Sequence, residues 1–271
     1  MAGRLRQIYT SLSCGYGSLL MGSLNVWPSY TTHIYASNGT TPLSAPMTQG
    51  EESLLGSLPS LGAMLGAAIA GTIINRLGRK NGGVVLSLPF VIAWAIMLVS
   101  TNMSVILAAR FLSGVGGGAS MILAPVFISE VSDASIRGAL ATSSLFMYCF
   151  GCILSYLLGW FFQYRTIIWL NMAFSVLGTI LIVMVVESPV YLLRQRREEE
   201  ARQSIAKYRG LSASSMVVVD EFSRLKQQIM PSVELTDLKD KETSAEQAEK
   251  EKLNAENVDN LPTKSMSPIK M

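Results

Sequence analysis

Histidine is nearly missing: His33 is the only one in 271 residues. That excludes a metal centre built from several histidines. His33 itself reads as a solvated loop position. Cysteine is scarce too. Cys14, Cys149 and Cys152 all fall within apolar runs, so no disulfide framework is built from them. Cys149 and Cys152 have the spacing of a redox pair, but a thiolate in hydrocarbon is costly, and buried, unreactive thiols are the expectation. Charge is thin, at 15% Asp, Glu, Lys and Arg, against about 25% in an ordinary soluble chain. No ionisable side chain stands mid-way along an apolar run, which removes the usual parts of a proton relay. Without paired carboxylates or a nucleophile–base set there, an enzyme is not the reading, and no metal, cofactor or nucleic acid is called for. A cleavable signal peptide is lacking as well. The first apolar run is too long for one and reads as a retained anchor.

Apolar residues make up 49% of the chain, and mean hydropathy is +0.36. They gather in six runs: Ser11–Trp27, Ser53–Ile74, Gly83–Ser100, Val105–Ile128, Ala139–Phe162 and Thr166–Val186. A hydrocarbon core needs about 20 helical residues to cross, and each run comes near that. The fold class expected is all-α: a polytopic membrane protein with six transmembrane helices over residues 10–187, after a short tail at residues 1–9.

Lys and Arg set the orientation. Arg4, Arg6, Arg76, Arg79, Lys80 and Arg137 fall on one side, and Arg110 and Arg165 on the other. Both termini are therefore expected in the cytoplasm. The longest outer loop, about residues 30–52, carries Asn38-Gly39-Thr40, an acceptor triplet for N-glycosylation. Residues 188–230 become basic and amphipathic, with helices expected over 191–208 and 214–229. From Pro231 onward, nine acids outnumber six lysines with no aromatic residue, so a disordered tail is expected.

Small residues repeat along single helix faces: Gly62, Gly66 and Ala70 in the second run, Gly114 and Gly118 in the fourth. In lipid, close backbone approach at such residues substitutes for a hydrophobic drive. Pro59, Pro89 and Pro125 could kink their helices.

Three motifs stand at the inner ends of these runs. They are Gly71-Thr-Ile-Ile-Asn75-Arg76-Leu-Gly78-Arg79-Lys80, Pro125-Val-Phe127-Ile-Ser129-Glu130 followed by Arg137-Gly138, and Glu187-Ser188-Pro189-Val-Tyr191. Together they resemble the sugar porters of the major facilitator superfamily, and most nearly the insect facilitated trehalose transporters. Gly17–Gly22 and the stretch from Thr41-Pro42 to Glu51-Glu52-Ser53 carry that closer likeness. It covers about residues 7–229, corresponding to the N-terminal six-helix half of the fold.

The resemblance implies that Arg76, Arg79, Glu130, Arg137 and Glu187 form an inner salt-bridge network that closes the cytoplasmic side, with Glu130 and Arg137 as a pair. It also implies a sugar substrate held between two bundles. Asn25, Ser143, Ser144 and Tyr148 are the polar span residues suited to contact it, with helix-to-helix hydrogen bonding as the competing role. Leu24 stands where proton-coupled sugar porters place an Asp, and Leu145 where many hexose carriers place a Gln.

The expected function is thus uncoupled facilitation of trehalose or a hexose in the plasma membrane, by a half-transporter that pairs with itself or a full-length homologue. The alternative is a non-transporting membrane partner of a complete carrier. The charge tally makes a direct prediction. Protease added outside intact cells should spare an epitope at Met271, and its cleavage without permeabilisation would reverse the topology.

Overall fold

In the computed structural model, residues 2–37 and 42–229 are described; the glycosylation triplet at Asn38 and the tail from Pro231 lie outside them. The chain divides after Phe222, and in the second unit residues 223–229 are described and helical. The first unit is all helix. In order it contains α1 (Ala2–Val26), α2 (Pro28–Ala36), α3 (Gln49–Leu77), α4 (Arg79–Val99), α5 (Met103–Val131), α6 (Arg137–Phe161), α7 (Tyr164–Val183), α8 (Pro189–Arg194) and α9 (Glu198–Arg209). The second amphipathic segment is helical over residues 216–229.

Among the described residues, five helices, α3 to α7, are long and apolar enough to cross a membrane. The first expected span, α1, has the length, at 25 residues, but less apolar character. Its burial explains why. Thr10, Ser11, Ser13, Ser18 and Ser23 are all buried against neighbouring helices, so much of α1 meets protein rather than lipid. The helix also starts at Ala2, where a separate tail was expected.

Beyond α1 the chain stays helical where a loop was expected. Trp27 keeps helical dihedrals (φ −49°, ψ −40°), and Thr31 N–H reaches the Trp27 carbonyl at 3.3 Å. Pro28, which has no N–H to donate, marks the join to α2 without stopping the rod. The outer ends of α1 and α2 pack an aromatic cluster. Trp27 lies edge-on to Tyr35 and Trp94, and Tyr35 meets Tyr164 hydroxyl to hydroxyl at 2.5 Å.

The core sits around α5, of whose apolar stretch 61% is buried, against 17% for α6. α3 runs along α5 and α1 along α6, while α4 bridges α5 and α7. The glycine faces account for the α3–α5 pairing. A Cβ on Gly62 or Gly66 would strike the Phe111 or Val115 carbonyl of α5, and one on Gly114 or Gly118 the Pro59 or Ala63 carbonyl of α3. The two stripes face each other, so each helix supplies the gap that the other's backbone fills. Gly22 and Gly151 do the same for α1 and α6.

Overpacking a close contact costs about 1–3 kcal/mol. Gly66→Leu is therefore expected to lower the thermal midpoint of the protein in detergent. Gly56→Leu, where no atom lies within 4 Å of the added carbon, is the matched control and should not lower it.

Candidate functional site

The start of α4, the end of α5 and the turn after α7 converge on one guanidinium. Arg79, 3% exposed, is clamped by Glu130: Nε donates at 2.8 and 3.1 Å and Nη2 at 2.7 Å, a bidentate pair. Two parallel bonds to a carboxylate are the strong geometry for arginine. A third bond, Nη1 to the Ile74 carbonyl at 3.3 Å, and the Tyr191 ring 5.7 Å away complete its surroundings.

Glu187 joins the cluster through backbone rather than through a cation. Its carboxylate accepts the N–H groups of Arg79, Lys80 and Ser188, at 2.8, 3.1 and 2.9 Å. Those amides are exposed at the start of α4 because Gly78 turns the chain with φ +93°. A side chain at Gly78 would also collide with the Glu187 carboxylate and the Tyr191 ring. Ser188 ties the two acids together, donating its hydroxyl to Glu130 at 2.5 Å.

Of the five residues expected in this network, the structure brings Arg79, Glu130 and Glu187 together. Arg76 is exposed and contributes only its carbonyl, which accepts the Tyr191 hydroxyl at 3.0 Å. Arg137 is exposed and donates to the Ser132 carbonyl at 3.3 Å. The Glu130 carboxylate is thus paired with Arg79, where the motif reading had set it against Arg137. Arg137 opens α6 beyond the loop, while Arg79 starts the helix packed alongside α5.

A second cluster was not anticipated. Arg209, closing α9, pairs with Asp133 in the α5–α6 loop at 2.7 Å and with Glu221, its Nε at 2.7 Å. Burial pulls its pKa down, but the Glu221 hydrogen bonds and the charges of Glu221 and Asp133 outweigh this and raise it. Gln7 of α1 bonds both to Asp133 and to the Tyr208 carbonyl. Ser204 reaches the Glu187 carbonyl at 2.6 Å. Helix α9 is therefore fastened to α1, to the α5–α6 loop and to the turn after α7. Sequence offered one clue, the amphipathic run into Tyr208-Arg209, but no spacing that matched Arg209 with Asp133.

Of the substrate-contact candidates, Asn25 and Tyr148 meet, with the amide donating to the phenol at 3.1 Å on the exposed side of the α1–α6 seam. Ser143 is turned inward to Ser11 (2.8 Å) and the Leu140 carbonyl (2.6 Å). The Ser144 hydroxyl oxygen is buried without a partner among the described residues. Cys14 is buried, yet Cys149 is exposed on the bundle surface and Cys152 half-buried, so the expectation of buried thiols holds only for Cys14.

The outer half holds a residue that the sequence reading placed at the mouth of a span. Arg110 is 1% exposed and two turns into α5. Its Nη1 donates to the Leu24 carbonyl of α1 at 2.9 Å, Nε and Nη2 approach the Leu55 carbonyl of α3 at 3.4 Å, and the Trp27 ring lies 5.1 Å away.

The buried pair of Arg79 with Glu130 and the exposed Arg137 set up a contrast that mutagenesis can read. Breaking a buried pair by removing one partner costs about 3–5 kcal/mol, so Glu130→Gln should markedly lower the midpoint in chemical denaturation. Arg137→Ala should shift it by no more than about 0.5 kcal/mol, as for an exposed surface change.

A profile of the "Sugar (and other) transporter" family matches residues 5–247. The chain is 31% identical over 160 residues to the solute carrier family 2, facilitated glucose transporter member 8 of Bos taurus, covering 59% of this chain and 34% of that protein. It is 27% identical over 207 residues to the facilitated trehalose transporter Tret1 of Drosophila grimshawi, covering 76% of this chain and 22% of the relative. The chain thus spans about a third or less of these relatives. Among solved structures, a partially occluded inward-open conformation of the xylose transporter XylE from E. coli superposes with a TM-score of 0.70. Identity there is 21%, over 83% of this chain and 60% of that one. With its profile match, its helical bundle and this shared fold, the chain belongs to the sugar transporter family of the major facilitator superfamily.

Proposed function

We propose that this bundle is one half of a facilitative, uncoupled sugar carrier, with trehalose or a hexose as substrate, residing in the plasma membrane with both termini inside. The names of the glucose and trehalose transporters that it resembles support that substrate class. The observation that carries the uncoupled reading is where the carboxylates stand. Among the described residues of α1 and α3–α7, the acids are Glu51, Glu52 and Glu130, all in terminal turns. Arg110 is met by backbone carbonyls, so no buried acid is available to take up and release a proton.

Asn25 and Tyr148 offer an amide and a phenol side by side on an exposed wall, the donor and acceptor chemistry that a sugar hydroxyl matches. A single wall leaves the other side of a bound sugar unpaired, at several kcal/mol per lost hydrogen bond in an apolar setting. Alternating access needs a second bundle to rock against the first, supplied by another copy or a complete homologue. In this reading the Arg79–Glu130–Glu187 cluster is the inner latch, Arg76 adds its carbonyl to Tyr191, and Arg137 lies outside the cluster.

Binding of radiolabelled trehalose to the reconstituted chain tests the proposal. Asn25→Ala with Tyr148→Phe should weaken it roughly tenfold, the equivalent of one or two ordinary hydrogen bonds. Affinity should be the same at mildly acidic and neutral pH. Affinity that follows external pH would overturn the uncoupled reading, and unchanged affinity in the double variant would remove the two residues from the site.

A further inference from the structure

A cavity of about 470 Å³ opens beneath the inner end of the bundle, between the α3–α4 turn, the end of α7 and one face of α9. Leu77 and Met184 line it, 44% and 68% exposed, where the apolar stretches of α3 and α7 run out. Lys80 from α4 and Lys207 from α9 line the same space. The cavity thus combines apolar side chains from the ends of two apolar helices with two lysines, beside Arg197 and the carboxylates of Glu187 and Glu200.

Its charges are unevenly matched. Glu187 is taken up by the backbone N–H groups of Arg79, Lys80 and Ser188. Glu200 accepts two bonds from Arg197, at 2.8 and 2.6 Å. Lys80 and Lys207 have no ion-pair partner among the described residues, although both border the same space. Two unmatched ammonium groups across one cavity attract a compact anion with several acceptor oxygens, and a phosphate ester has that form.

We propose that this cavity binds a phosphate monoester, with Lys80 and Lys207 pairing its oxygens. The apolar edge at Leu77 and Met184 suits the glycerol and acyl end of a lipid, and a soluble phosphate ester offers the same anionic head. A bound phosphate would bridge α4 and α9 beside the Arg79–Glu130 cluster, and would favour the arrangement in which those elements stay together. The inference concerns this phosphate site alone, so its failure would leave the transport reading untouched.

The full chain, purified in detergent and incubated with phosphatidic acid or phosphatidylcholine, can be weighed by native mass spectrometry. Phosphatidic acid should be retained in preference to phosphatidylcholine. Lys80→Gln with Lys207→Gln should reduce that retention roughly thirtyfold, since two near-surface cations each contribute about a kilocalorie per mole to anionic-lipid attraction. Arg4→Gln with Arg165→Gln, which removes the same charge elsewhere, should not reduce it. Lys80→Arg with Lys207→Arg should restore retention, a check that holds even where the neutral pair folds poorly. Displacement of phosphatidic acid by an equal concentration of glycerol 3-phosphate would assign the site to soluble esters. Equal retention by the wild type and the Gln pair, or no preference for phosphatidic acid over phosphatidylcholine, would overturn the proposal.

Discussion

The α3–α4 turn, the end of α5 and the turn after α7 are arranged around the buried guanidinium of Arg79. A cation that is 3% exposed would be prohibitive without compensation, and Glu130, with only 12% of its side chain exposed, supplies it. The attraction of such a pair largely repays its own desolvation, so its value lies less in net stability than in fixing one arrangement. That arrangement is specific. The pair joins α4 to α5, Ser188 carries it to the α7–α8 turn, and Glu187 ties that turn back to the first amides of α4. Each element is held by a group that would be left unsatisfied if it moved away.

This explains why the α3–α4 turn takes so constrained a form. Gly78 is needed twice over, for its positive φ and because two side chains of the cluster occupy the space a Cβ would take. The turn aims consecutive backbone N–H groups at Glu187, forming an anion cradle from backbone alone. The next residue after Arg79 in that turn, Lys80, lines the cavity beside α9. One glycine therefore shapes the turn that carries both the buried guanidinium and the lysine beside it.

Sequence made the frame legible and the partners less so. Hydropathy located α3 to α7 because lipid selects apolar surface over a fixed length. The spacing of Gly62, Gly66, Gly114 and Gly118 foretold close helix contact, and the structure shows the two stripes fitted to each other. α1 was marked by length but is less apolar than its neighbours, since a helix enclosed by protein can carry serines that lipid would reject. The pairing of Glu130 was misread because proximity along the chain favoured Arg137, while packing brought Arg79 from a different helix. Arg209 with Asp133 had no signature at all. Long-range ion pairs depend on how helices dock, which no local spacing encodes. Arg110 lay at a span's opening in the sequence, but the end of α1 at Leu24, the Trp27 ring and Leu55 of α3 close around it.

The two ends of the bundle are closed by different chemistry, and the difference has a physical consequence. At the inner end, charge is matched by charge across separate helices. At the outer end, Arg110 is held by the carbonyls of Leu24 and Leu55 and by the face of Trp27, itself packed into an aromatic cluster. A carbonyl within a helix cannot leave without its helix, so the outer arrangement binds α1, α3 and α5 as a block. A carboxylate on a side chain can rotate away and be solvated at modest cost once water reaches it. The ionic cluster can therefore exchange its partners for water more readily than the carbonyl-bound arginine can. It is the end that fits the opening and closing proposed above, while the Arg110 contacts hold α1, α3 and α5 together. The glycine seam between α3 and α5 serves the same rigidity, because backbones in direct contact have no side-chain freedom with which to slide.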